Sequence, residues 1–232
     1  MTIGLQAIVF DFDGVIANSE PLHLLAFQRT SHEYGITLTG DEYYKKYLGY
    51  DDLGMIEALA RDRRIPMSDR EIAAFIARKG SYMQQLLESG GLLFPGAKEF
   101  IQAAAAQVPI AIASGALRHE IEEILVSAGL DRLFTAIVAS GDTPESKPSP
   151  APYLLAFHRL KHETGRELDP RRSAAIEDSR WGLESARGAG LRCVAVTNSY
   201  PAHELPGAEL LVNGLENLTL PMLDDLCRSD ET

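Results

Sequence analysis

Short apolar runs recur along the chain, and each ends in polar or small residues. Runs of three to six residues without strict alternation are typical of strands that are buried on both faces of a parallel sheet. The predicted strands are LQAIVF (5–10), IAIA (110–113), AIVA (136–139), AAI (174–176), LRCVAV (191–196) and AELLV (208–212). Segments with helical spacing separate several of these runs, over 97–107, 117–128, 153–162 and 180–189. The alternation predicts a doubly wound α/β fold with a mostly parallel sheet and helices on both faces.

The stretch between the first and second predicted strands breaks this rhythm and shows no convincing strand. It predicts helices over 21–34, 41–46, 51–61 and 68–89, the last of which begins with the capping-box pattern Ser68-Asp69-Arg70-Glu71. We therefore expect a helical cap domain over 16–93, inserted into an α/β core domain formed by 1–15 and 94–232. The connections at 15–19 and 90–95 are the expected hinges, and glycines 90 and 91 suit a flexible return.

Composition narrows the possible partners. Of the 232 residues, 45% are apolar and 24% are charged, as in an ordinary globular protein, and the formal net charge is -11. Such an acidic surface repels nucleic acid and anionic membranes, so neither is an expected partner.

The N-terminus does not resemble a signal peptide, and no apolar run approaches the length of a membrane span. The cytoplasm is the expected location. The two cysteines lack zinc spacing, and no disulfide is expected.

Polar residues follow four of the predicted strands. They are Asp11 and Asp13, Ser114 and Gly115, Lys147, and Glu177 with Asp178. Because ligands bind at the carboxyl ends of strands in open parallel sheets, we expect these side chains to meet at one edge. Clustered carboxylates need a cation, and oxygen ligands without His or Cys favour Mg²⁺. A lysine and a hydroxyl beside that metal suit a phosphate group.

The motif Asp11-Phe12-Asp13-Gly14-Val15-Ile16 resembles the first motif of the haloacid dehalogenase-like superfamily of phosphotransferases. Ser114, Lys147 and the pair Glu177-Asp178 resemble its second, third and fourth motifs in the correct order. The resemblance spans nearly the whole chain, including the position of the cap.

This resemblance implies a role for each motif. Asp11 would be the nucleophile that forms an aspartyl-phosphate, and Asp13 the general acid and base. Magnesium would be held by Asp11, the backbone carbonyl of Asp13, Asp178 and, directly or through water, Glu177. The remaining motif residues, Ser114, Gly115 and Lys147, would bind the phosphoryl group.

Two segments of the helical region also resemble one subgroup of this superfamily. The segment Glu20-Pro21-Leu22-His23 with Ala26-Phe27 resembles the cap entry of β-phosphoglucomutases and related sugar-phosphate phosphatases, and the segment around Lys79 resembles one of their cap helices. Glu20, His23 and Lys79 are therefore candidate substrate-binding residues. The mutases carry an arginine that grips the distal phosphate, where this chain has Gly49-Tyr50-Asp51-Asp52. Hydrolysis of a small phosphorylated metabolite, a sugar monophosphate above all, is therefore favoured.

Two alternatives stay open. One is a phosphosugar mutase of the β-phosphoglucomutase type, and the other is a catalytically idle binding or regulatory module on the same fold. The expected partner is a small phosphorylated substrate, and the expected state is a monomer or a weak homodimer.

Overall fold

The computed structural model describes residues 4–48, 50–87 and 92–228. The chain divides into two compact units, Met1–Asn18 with Gly91–Thr232 and Ser19–Gly90. The first is an α/β unit and the second is helical. No helix within the described residues is long and apolar enough to cross a membrane.

The α/β unit is built on a sheet in which all the described strand pairs are parallel, in the order β3-β2-β1-β4-β5-β6. The strands are β1 (Ala7–Phe10), β2 (Ile110–Ala113), β3 (Ala136–Val138), β4 (Ser173–Glu177), β5 (Arg192–Val196) and β6 (Leu210–Val212). The central strand β1 is buried throughout, which explains why its sequence is apolar without alternation. The predicted doubly wound α/β class is confirmed.

Helices of this unit connect and cover the strands. The structure has α5 (Ala97–Ala105), α6 (Arg118–Ala128), α7 (Ala151–Thr164), α8 (Arg180–Gly188) and α9 (Leu220–Arg228), whose numbers continue from the helices of the other unit given below. Gly129 ends α6 with a φ of 70°, a left-handed conformation that glycine adopts without steric cost.

The connections to the helical unit are paired with each other inside the α/β unit. The N–H of Asn18 donates to the carbonyl of Leu92 over 2.7 Å, and the N–H of Phe94 donates to that of Ile16 over 3.0 Å. Ala17 and Leu93 form an antiparallel bridge between them. Much of the two segments predicted as hinges is therefore tied together, and Gly90 and Gly91 lie outside the described residues.

The helical unit contains α1 (Glu20–Glu33), α2 (Gly40–Glu42), α3 (Asp52–Arg63) and α4 (Asp69–Leu87). The helix expected over 41–46 is instead the three-residue α2 followed by a π-helical turn, Tyr43–Tyr47. The capping box before α4 is confirmed, because the Ser68 N–H donates to the Glu71 carboxylate and the Glu71 N–H donates back to the Ser68 hydroxyl. The expected end of this helix near residue 89 lies outside the described residues. The assignment of this unit as a substrate-covering cap remains a prediction.

Candidate active site

Three of the predicted acids meet at the carboxyl end of the sheet. Asp11 follows β1, and Glu177 and Asp178 lie at the end of β4, the strand that pairs with β1. Among the described residues, one carboxylate oxygen from each of the three lies within 4.8 Å of the others. All three side chains are buried. The structure thus brings together residues that are far apart in the chain, as the strand-end argument expected.

Asp13 lies in the turn after β1. It is half-buried, and its backbone forms a bridge with Ala17. The predicted metal contact of Asp13 involves its backbone carbonyl, so its carboxylate need not join the cluster of three.

Lys147 extends from the loop between β3 and α7 to the acids. Its Nζ lies 2.9 Å from Oδ1 of Asp11 and 2.6 Å from Oε1 of Glu177. Burial by itself lowers the pKa of Lys147, but the two carboxylates outweigh burial and hold this pKa above its ordinary value. Lys147 is therefore a fixed positive charge beside the predicted nucleophile.

The negative charge of the cluster exceeds what Lys147 offsets. The pKa of Asp11 is raised to about 6, first by burial and then by the neighbouring Glu177, against the opposing effect of Lys147. Burial also raises the pKa of Asp178 well above its ordinary value, with Asp11 and Glu177 adding to the effect. Three buried carboxylates with one lysine leave uncompensated negative charge, which a divalent cation with oxygen ligands would neutralise.

Glu177 is held by donors on both of its oxygens. Oε1 accepts from Lys147 and, over 2.8 Å, from the hydroxyl of Tyr153. Oε2 accepts over 3.2 Å from both the hydroxyl of Ser179 and the N–H of Asp178. A Cβ at Gly182 would lie 1.9 Å from the Glu177 carboxylate, so this glycine makes room for it.

The loop after β5 contributes residues that the sequence did not indicate. The Ser199 hydroxyl donates to Oδ2 of Asp178, and the Asn198 amide donates over 2.7 Å to the carbonyl of Gly14. Gly14 has a φ of 78°, and a Cβ there would lie 1.8 Å from Asp178. These contacts fix the carboxylate of Asp178 against the first motif. Their signal in the sequence is the polar run Thr197-Asn198-Ser199, which directly follows β5.

Ser114 and Gly115 follow β2 at the same edge of the sheet. Ser114 is buried, and its hydroxyl oxygen accepts from the N–H of Ala116 over 3.1 Å. This acceptor role leaves the O–H bond of Ser114 available to point elsewhere. Gly115 is exposed, and a Cβ there would meet nothing within 4 Å. The chain at Gly115 therefore has space for a ligand.

In the helical unit, two of the candidate substrate-binding residues contact each other. Lys79, although 1% exposed, places its Nζ 2.9 Å from Nδ1 of His23 and 2.9 Å from Oδ1 of Asp52. Burial, with the nearby Lys79 charge, lowers the pKa of His23 to about 3, so this histidine is neutral. The pairing of Asp52 with Lys79 was not predicted. Gly49, from the same sequence motif, lies outside the described residues.

Glu20 forms a second contact in this unit. Its Oε1 accepts from the hydroxyl of Tyr43 over 2.5 Å. Burial raises the pKa of Glu20, although the Tyr43 bond and the Lys79 charge oppose that shift.

The family model of the haloacid dehalogenase-like hydrolases matches residues 8–196, which include the whole acid cluster and Lys147. The chain belongs to this family. Named phosphatases among its relatives confirm the predicted enzyme class, a phosphoric monoester hydrolase.

The relatives of this haloacid dehalogenase-like hydrolase cover most of its length. It is 32% identical to protein CbbY of Cereibacter sphaeroides, over 92% of this chain and 94% of that protein. It is 27% identical to the phosphorylated carbohydrates phosphatase of Thermotoga maritima, over 81% and 82% of the two chains. The crystal structure of CbbY from Rhodobacter sphaeroides in complex with xylulose-(1,5)bisphosphate has a TM-score of 0.80 and 30% identity, covering 91% of this chain and 95% of that one.

Proposed function

We propose that this hydrolase is a magnesium-dependent phosphatase that cleaves a small sugar phosphate through an aspartyl-phosphate on Asp11. The observation that carries the proposal is the contact of Lys147 with both Asp11 and Glu177 beside a buried acid cluster. A phosphoryl group at this position would meet a carboxylate nucleophile and a fixed cation. The phosphorylated-carbohydrate phosphatase among the relatives supports the substrate class.

The donor set fits a magnesium ion. Asp11 and Asp178 supply buried carboxylate oxygens, and the carbonyl of Asp13 and the carboxylate of Glu177 lie in the same motifs. When bound, the ion would offset the charge of the acids and of the phosphoryl oxygens. In the structure, both oxygens of Glu177 already accept hydrogen bonds, so it is best suited to contact through water.

The residues of the chain divide the reaction into two steps. In the first, a carboxylate oxygen of Asp11 attacks phosphorus, the ester P–O bond breaks, and Asp13 gives its proton to the departing alkoxide. In the second, Asp13 takes a proton from water, which attacks the aspartyl-phosphate and releases inorganic phosphate and Asp11. Lys147 binds a phosphoryl oxygen and favours the ionised form of Asp11. Ser114 donates a hydrogen bond to the same group.

The charges of side chains in the helical unit indicate how many phosphates the substrate carries. Asp52 balances the charge of Lys79, and His23 is neutral, so this group of side chains carries no net positive charge for a second phosphate. This balance favours a sugar monophosphate and weighs against a mutase that holds a bisphosphate. Substrate contacts of Glu20, His23 and Lys79 are part of the proposal, as is the cytoplasmic location.

Phosphate release from a panel of sugar monophosphates, xylulose 1,5-bisphosphate and p-nitrophenyl phosphate tests the function. We expect release from monophosphates at rates well above that from the bisphosphate. Faster release from the bisphosphate would overturn the monophosphate assignment. Conversion of β-glucose 1-phosphate with a bisphosphate primer into an isomer, without release of phosphate, would establish a mutase. If no compound in the panel is turned over, the remaining hypothesis is the catalytically idle binding or regulatory module.

A further inference from the structure

Tyr153 lies beneath the predicted phosphate-binding lysine. It is fully buried near the start of α7 and is the largest of the fully buried side chains of the described chain. Its hydroxyl donates to Oε1 of Glu177 over 2.8 Å, and Nζ of Lys147 lies 5.1 Å from the centre of its ring. The tyrosine thus contacts both members of the Lys147–Glu177 ion pair.

The hydroxyl of Tyr153 and the ammonium of Lys147 are hydrogen-bonded to the same carboxylate oxygen. Both donate to Oε1 of Glu177, while Oε2 accepts from Ser179 and from the backbone. Each carboxylate oxygen offers about two lone-pair positions, and on Oε1 the ammonium and the hydroxyl occupy both. The position of Lys147 on this carboxylate is therefore set in part by Tyr153, and Lys147 in turn reaches Oδ1 of Asp11.

We propose that Tyr153 is a positioning residue for the hydrolytic reaction, acting through Glu177 to hold Lys147 against Asp11. This inference rests on the proposed function. Tyr153 itself need not touch the substrate, because its ring and hydroxyl are both enclosed. A phenylalanine would fill the same apolar space, so packing alone does not require the hydroxyl, whereas a buried hydroxyl needs a partner.

The test compares Tyr153→Phe with Tyr47→Phe. Tyr47 is also buried, and its hydroxyl also donates to a carboxylate over 2.8 Å, that of Asp62 in the helical unit. Each variant therefore loses one hydroxyl bound to a carboxylate, but only Tyr153 adjoins Lys147. Near-ultraviolet circular dichroism and thermal unfolding establish that both variants fold.

We expect Tyr153→Phe to lower kcat/KM for p-nitrophenyl phosphate about tenfold, as for loss of a hydrogen bond to a charged group, and to weaken binding of inorganic phosphate. Affinity for Mg²⁺ should change less than about twofold, and Tyr47→Phe should keep wild-type kinetics. In a Lys147→Ala background, Tyr153→Phe should have almost no further effect on phosphate binding, because both changes act on the same contact. Equal losses of phosphate affinity with and without Lys147 would overturn the proposal.

A crystal structure of Tyr153→Phe gives a result that does not depend on turnover. We expect Nζ of Lys147 to move away from its position between Oδ1 of Asp11 and Oε1 of Glu177. If Lys147 keeps both contacts and kinetics are unchanged in an active enzyme, the positioning role is wrong while the phosphatase stands. If the wild type has no phosphatase activity, the proposed function fails, and the crystal structure alone decides whether Tyr153 positions Lys147.

Discussion

Nζ of Lys147 lies 2.9 Å from Oδ1 of Asp11. The two residues come from different loops at the carboxyl edge of the sheet, and both are largely withdrawn from solvent. A buried carboxylate next to other acids tends to take up a proton, and a protonated Asp11 would be a poor nucleophile. Lys147 opposes this tendency, so the contact links the third sequence motif to the reactivity of the first.

Asp11→Asn should lower kcat by about a thousandfold or more, because the amide cannot form the covalent intermediate. Phosphate release with saturating substrate and magnesium measures the loss. Asp131→Asn, at an exposed aspartate in the turn after α6, is the control and should keep wild-type activity. Activity of Asp11→Asn within tenfold of the wild type would rule out Asp11 as the nucleophile.

Removal of metal with a chelator should abolish activity, and Mg²⁺ should restore it. Magnesium should also raise the unfolding temperature, because it relieves repulsion among Asp11, Glu177 and Asp178. At a free concentration of about 100 times Kd, the expected gain in the free energy of unfolding is about 2.7 kcal/mol. Differential scanning calorimetry of wild type and Asp178→Asn measures it. Undiminished stabilisation of Asp178→Asn by magnesium would remove this residue from the metal site.

Substitution by alanine at two helical glycines should change the free energy of unfolding in opposite directions. A Cβ at Gly182 would lie 1.9 Å from the Glu177 carboxylate, whereas a Cβ at Gly80 would meet nothing within 4 Å. Gly182→Ala should lower the free energy of unfolding by about 1–3 kcal/mol, the usual range for overpacking, and should impair activity. Gly80→Ala should raise it by about 0.5–1 kcal/mol, since alanine favours the helix. Urea titration of both variants measures these changes in the free energy of unfolding. An unchanged free energy of unfolding for Gly182→Ala would contradict the described packing.

The contribution of His23 to stability should be lost as the pH drops below about 6.5. Burial, with the Lys79 charge, lowers the pKa of this histidine from 6.5 to about 3, so between these values the unfolded chain binds a proton that the folded chain does not. The contribution of His23 to the free energy of unfolding should therefore rise with pH across this window, by at most about 1.4 kcal/mol per pH unit. His23→Asn removes the contribution.

Urea titrations of wild type and His23→Asn from pH 4 to pH 7 isolate this effect, because other groups titrate equally in both proteins. The difference in free energy of unfolding between them should vary with pH. A constant difference would show that His23 is protonated in the folded state as readily as in the unfolded chain.

The sequence predicted the elements well where a local rule decides the structure. The apolar run before Asp11 became the buried central strand, and Ser68 with Glu71 capped α4. It failed over Tyr43–Tyr47, where a π-helical turn replaces the expected α-helix. The hydroxyls of Tyr43 and Tyr47 both bond to carboxylates in neighbouring helices, and such tertiary contacts are invisible to local spacing.

By itself, the sequence determined the fold class, the strand-end positions of Asp11, Ser114 and Asp178, and the place of Lys147 in the loop after the third strand, because hydrophobic periodicity and motif order are local properties of the chain. Only the tertiary structure decided the partners of these residues. Tyr153 bonds to Glu177, Ser199 to Asp178 and Asp52 to Lys79. Each of these bonds joins separate elements, and its formation depends on burial and distance in the folded chain, which no short window of sequence specifies.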